Sequence, residues 1–273
     1  MGDKFYIATF SENAVSVARQ YGFGIELNDF CISENLDQDK LAESLDRCRR
    51  QLLEAGINAG DPLETASRVI LHGPFTEIIP ASIDHRVVSL GMERLEEAYG
   101  AAQALGVRRM VVHSGYVPLL YFKDWHHEKS VTFWRTYMDD KPEDFQIYIE
   151  NVFEDEPLMM RRLVEDLDDS RIRLCLDIGH ANAMTSREYH ILDWIRLLGP
   201  HIGHFHLHNN DGKSDQHGAL TQGTMDMEQV FAAIEAYCRE DVTMTIESRT
   251  CESSAKWLSE RCKGIRENSI GVN

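Results

Sequence analysis

Short apolar, β-branched runs recur along this chain, and most of the gaps between them carry apolar residues at helical spacing. The runs are "KFYIATF" (4–10), "GIELNDF" (24–30), "RVILHGPF" (68–75), "RRMVVHSG" (108–115), "FQIYIENVF" (145–153), "RIRLCLDIGHAN" (171–182), "HIGHFHLHNN" (201–210) and "TMTIESR" (243–249). Between the second and third, "LAESLDRCRRQLLEAG" (41–56) sets Leu41, Leu45, Leu52 and Ala55 near one face and stops on Gly56, a residue suited to a left-handed helix cap. Segments 92–106, 157–168, 190–199 and 227–238 keep the same period. Repeated strand–helix units over 273 residues suit a closed (β/α)8 barrel, which typically takes about 250 residues. An open doubly wound sheet is the competitor. It usually has fewer units and a glycine-rich first turn, whereas "TFSENAVSV" contains no glycine.

The expected fold is therefore α/β, a single (β/α)8 TIM barrel over residues 1–273, with no Pro/Gly/Ser-rich linker dividing it. One stretch breaks the regularity. Residues 116–144, "YVPLLYFKDWHHEKSVTFWRTYMDDKPED", contain Trp125 and Trp134; part of it is expected to be the fourth helix and the rest a lid or a homo-oligomer contact. The six cysteines are scattered without a CxxC pair and no secretory leader is evident, so a reduced, cytoplasmic setting is expected. No run reaches the roughly eighteen apolar residues of a membrane helix, so no membrane partner is expected.

In such a barrel the working side chains lie at the C-terminal ends of the strands. Those positions hold His72, His113, Glu150, Asp177 with His180, His206 and Glu247, and the loop after the seventh strand adds Asp215 and His217. A single strand-end His or Glu is more often a hydrogen-bonded structural residue. The coincidence over successive strands points to a shared site. Carboxylates converging without cations would repel and take up protons, and a divalent metal is the simplest compensation. Mixed imidazole and carboxylate donors suit zinc or manganese better than magnesium.

The stretch "HIGHFHLHNNDGKSDQH" (201–217) refines this. His204, His206 and His208 share one strand face at intervals of about 6.7 Å, so they cannot serve one ion equally. His206 is the expected ligand, His208 is expected nearer the substrate or behind the ligands, His204 deeper and structural, and His201 solvated.

With those residues in place, the chain resembles the xylose-isomerase-like TIM-barrel superfamily, which holds sugar isomerases and epimerases together with endonuclease IV-type apurinic endonucleases. The resemblance rests on "HGPF", "VVHSG", "IENV", "LDIGH", "HFHLHNNDG", "DQH" and "TIES", in that order. It implies that Glu150, Asp177, His206 and Glu247 hold one divalent ion in the epimerase manner, with His180 touching substrate. It equally implies the endonuclease pattern of three zinc ions on His72, His113, Glu150, Asp177, His180, His206, Asp215, His217 and Glu247. One to three ions per chain are thus expected. Where members often carry a Gly–Glu–Gly segment this chain reads "LTQGTMD", with Gln222 in the glutamate's place.

As an isomerase or epimerase of a sugar or sugar phosphate, the protein would use Glu150 and Glu247 as base and acid beside a metal-polarised carbonyl. As a phosphodiesterase on abasic DNA it would also need a cationic grip on the backbone. The basic clusters, Arg47, Arg49, Arg50, Arg161 and Arg162, fall on outer helices, and the net charge is −17, so sugar chemistry is preferred and nucleic acid is the alternative. A barrel that binds metal or sugar without turnover is the third possibility. Lys213, Arg249 and His208 are the expected substrate contacts on the rim, and Trp125 is the candidate lid residue.

Overall fold

The structure is a computed structural model that describes residues 4–186 and 188–270; the extreme ends of the domain expected over 1–273 lie outside the described residues. Eight parallel strands close on themselves in chain order. They are β1 (Phe5–Ala8), β2 (Gly24–Leu27), β3 (Val69–His72), β4 (Arg109–His113), β5 (Gln146–Glu150), β6 (Ile172–Asp177), β7 (Ile202–Leu207) and β8 (Thr243–Ile246). The ring is sealed by β1 pairing with β8. The helices are α1 (Ala14–Tyr21), α2 (Leu41–Glu54), α3 (Pro62–Arg68), α4 (His85–Leu105), α5 (Lys123–Met138), α6 (Pro157–Leu167), α7 (Ile178–Met184), α8 (Ile191–Leu198), α9 (Met227–Tyr237) and α10 (Glu252–Ile270). Among the described residues no helix is long and apolar enough to cross a membrane, and Cys31, Cys48, Cys175, Cys238 and Cys251 are free thiols.

Strand alternation splits the apolar residues into two cores. Ile7, Ile25, Leu71, Val112, Ile149, Leu176, Phe205 and Ile246 face outward into the large layer shared with the helices. A small cluster, Tyr6, Ile70, Val111, Tyr148 and Cys175, occupies the inside. Two residues further along β3, β4, β5 and β6, on the same inner column, stand His72, His113, Glu150 and Asp177. Alternation alone therefore aims these side chains into the barrel mouth.

Two expectations need correction. The sixth run, drawn over 171–182, is strand only to Asp177. There the Asp177 carboxylate accepts the backbone N–H of His180 at 2.6 Å and caps α7. Within 116–144, α5 takes up sixteen residues. Its buried face runs His126, Ser130, Phe133, Trp134, Tyr137, and the two polar residues in that stripe hide the helical period from a hydrophobicity reading. The helix expected over 92–106 also starts earlier, at His85, where Asp84 caps it.

Candidate metal centre

Register does part of the assembly. His113 lies beside Glu150 across β4 and β5. Asp177 lies beside His206 across β6 and β7, brought level by an irregularity between Leu174 and Cys175; such bulges commonly re-aim side chains near sites.

All nine expected ligands converge, in three groups. His72, His113 and Glu150 form one, Glu150, Asp177, His206 and Glu247 the second, and His180, Asp215 and His217, joined by His208, the third. Glu150 ties the first two together. Its Oε2 lies 3.3 Å from His72 Nε2 and 3.4 Å from His113 Nε2. Its Oε1 lies 3.2 Å from His206 Nδ1 and 3.3 Å from His180 Nδ1. Glu247 approaches His206 Nδ1 to 3.3 Å, and Asp215 lies 3.4 Å from His180 Nε2 and 3.0 Å from His217 Nε2.

These residues fit a metal. Donors bonded to one zinc at about 2.0–2.1 Å in a tetrahedron sit about 3.3 Å apart, which is the spacing around Glu150 and longer than a good hydrogen bond. Glu150 Oε2 and His206 Nδ1 are buried without a hydrogen-bond partner, and buried polar atoms of that kind call for one. Five imidazoles and four carboxylates from the nine expected positions make a donor set suited to zinc.

The imidazoles are oriented for the task. Nδ1 of His72 lies 2.9 Å from the Gly73 carbonyl, Nδ1 of His180 3.0 Å from that of Asn151, and Nδ1 of His217 2.8 Å from that of Glu247. Each N–H donated there leaves Nε2 free to face the centre. Asn151 also clasps β6, donating to the Asp177 carbonyl and accepting from its N–H.

Charge follows from this crowding. Burial would raise Glu150, but His206 and His113 hold it well below the usual carboxylate range. Burial likewise opposes the imidazoliums of His206 and His180, yet the surrounding carboxylates push both well above the ordinary histidine value. His113, where burial wins, is pulled down to about 3. Burial, with Glu150, Glu26 and Asp177 adding repulsion, raises Glu247 despite His206. Without metal, the raised values favour a proton on His206 and His180 beside these carboxylates, and the lowered one disfavours a proton on His113.

His204 is fully buried below the ligands, between Thr243, Thr245 and Glu26. His208 is also fully buried, with Nε2 3.1 Å from Asp177 and its ring stacked on His217 at 4.0 Å, so it backs the ligand cage. Lys213 and Arg249 are exposed on the loops after β7 and β8 and form no ion pair among the described residues. Trp125 donates its indole N–H to the Ala81 carbonyl at 2.9 Å, and Lys129 lies over its ring. Trp134 is wholly buried and excluded from any lid.

Sequence reading missed Glu26, a fully buried carboxylate on β2 whose Oε1 lies 3.0 Å from His206 Nε2. A glutamate inside the apolar run "GFGIEL" was its only signal. It also missed Phe75, whose ring is 5.0 Å from that of His113, and Phe10, 5.5 Å from His217; these two aromatics flank opposite ends of the ligand array.

Comparison with known proteins agrees with this architecture. The chain is 28% identical over 217 residues to a probable endonuclease 4 of Mycobacterium leprae, covering 76% of this chain and 81% of that one. Two solved structures share the fold. The TTHB071 protein from Thermus thermophilus, soaked with zinc chloride, superposes with a TM-score of 0.69 at 23% identity over 96% of this chain and 98% of that one. A D-tagatose 3-epimerase-like protein superposes at 0.72 with 20% identity over 98% and 99%. The family described as xylose isomerase-like TIM barrel matches residues 15–267, and the chain belongs to that family.

Proposed function

We propose that this chain is a metal-dependent phosphoester hydrolase whose divalent ions would be held around Glu150, with abasic nucleic acid as the first substrate class to test. The observation that carries this reading is the double engagement of Glu150: one carboxylate oxygen faces Nε2 of His72 and of His113, and the other faces Nδ1 of His206, which belongs to a different ligand group. A carboxylate so committed is poorly placed to take a proton from a sugar carbon. The likeness to endonuclease 4 over most of both chains supports the same reading. Divalent ions held by these residues would supply Lewis acidity toward phosphate oxygens and acidify water. The chain's own residues supply the rest. Glu150, Asp177, Glu247 and Asp215 provide the negative cage, the Nδ1 anchors fix the imidazoles, and Phe10 and Phe75 offer apolar flanks for a sugar or base. Lys213 and Arg249 are the rim cations available to a phosphate.

Epimerase chemistry is the second reading, favoured by Glu247. Burial and neighbouring carboxylates raise its pKa, as suits a group that exchanges protons, and the D-tagatose 3-epimerase-like protein shares the fold. One paired assay separates the two. Zinc- or manganese-loaded protein is incubated with an abasic oligonucleotide and, separately, with ketoses and ketose phosphates in deuterated water. Strand scission that disappears in Glu150→Gln is expected. Deuterium uptake at a sugar carbon without phosphoester cleavage would overturn the hydrolase reading in favour of the epimerase.

A further inference from the structure

His72, His180 and His217 each set Nδ1 against a main-chain carbonyl and turn Nε2 to the centre. His206 is reversed. Its Nε2 lies 3.0 Å from Glu26 Oε1, and its Nδ1, buried and without a hydrogen-bond partner, faces Glu150 and Glu247. The other oxygen of Glu26 accepts from the Thr245 hydroxyl and lies 3.2 Å from His204 Nε2. Strand β2 contributes no other polar side chain to the barrel interior, and Glu26 has zero exposure. A carboxylate that deep is costly unless it is fully hydrogen-bonded, and here both oxygens are.

We propose that Glu26 is a positioning residue for the centre: it accepts the Nε2–H of His206 and so commits that ring to offering Nδ1 to the ion shared with Glu150, Asp177 and Glu247. Glu26 also lies within reach of a further donor set, with His72, His206 and Glu247. Its three hydrogen-bonding partners already occupy both oxygens, so it acts as an acceptor behind the ligand and not as a ligand. A carboxylate in that place fixes the tautomer and makes the imidazole a stronger donor. Unlike the carbonyls behind the other three rings, it also brings a full negative charge.

This assignment rests on the metal reading above, and the test separates the two. Protein labelled with 15N-histidine is loaded with zinc, and two-bond proton–nitrogen correlation spectra report which nitrogen of His206 carries hydrogen. Competition titration with a chelator measures the affinity for each ion. Wild type is expected to show Nε2–H with Nδ1 bound. Glu26→Leu is expected to weaken one ion by about 10–100-fold. Glu26→Gln, which keeps an acceptor but not the charge, is expected to weaken it less and to preserve the tautomer. If Glu26→Leu does not fold, the tautomer and affinity of Glu26→Gln against wild type decide. Metal on Nε2 of His206, or affinities unchanged in the variants of a metal-loading wild type, would overturn this assignment alone. Absence of divalent-ion uptake by wild type would instead remove the metal reading beneath it.

Discussion

Glu150 is the residue on which the site depends most. Register and alternation bring it within 3.4 Å of His72 and His113 on one oxygen and within 3.3 Å of His206 and His180 on the other. Glu150→Gln should weaken two ions at once, by more than the about 10–100-fold seen when only a supporting partner is lost, and elemental analysis after dialysis would show it. His217 gives a pH prediction. Burial lowers its pKa, but the hydrogen bond to Asp215 and the nearby carboxylates outweigh that and raise it from 6.5 to about 9. A raised histidine stabilises the metal-free fold fully below its unfolded value, and that contribution is lost as pH climbs through about 9. Metal-free wild type should therefore lose Tm between pH 6.5 and 9 relative to His217→Ala. Zinc must displace the same proton, so its affinity for the outer group should rise with pH over that window. A parallel decline in the two proteins would contradict the assignment.

Among the elements, the strand ends were legible because a barrel leaves inward residues only one direction in which to point. Each polar residue that follows an apolar alternation must then reach the mouth, and His72, His113, Glu150, Asp177 and His206 all do so. Glu26 escaped because one glutamate in a short strand run reads equally as a solvated residue; only closure of the barrel shows that β2 faces His206 across the interior. The start of α7 escaped because "CLDIGHAN" stays apolar through the strand end, and the break depends on the Asp177 cap. That helix offers a test. A Cβ on Gly179 would fall 1.9 Å from the His208 ring, so Gly179→Ala must displace His208, at an overpacking cost of about 1–3 kcal/mol. It should weaken the outer ion and leave the His72–His113–Glu150 group loaded. For α5, Trp125 ties the helix start to Ala81. Trp125→Ala should lower stability by about 1 kcal/mol without changing metal content, and a raised KM would additionally assign it the lid role.

For the whole molecule, the closed ring turns residues spread from position 26 to 247 into one buried polyanion that needs cations. Its stability should follow metal occupancy. At a free concentration of 100 times Kd each ion should add about 2.7 kcal/mol, seen as a rise in Tm that a chelator reverses. The net charge of −17 disfavours a polyanionic substrate at long range, so any cleavage of nucleic acid should depend on close contacts at the loaded centre. The central claim is tested most directly by anomalous diffraction at the zinc edge from crystals grown with zinc. Two ions sharing Glu150, one on each oxygen, are predicted, with a third among His180, Asp215 and His217. A map with no ion in contact with Glu150 would contradict the claim.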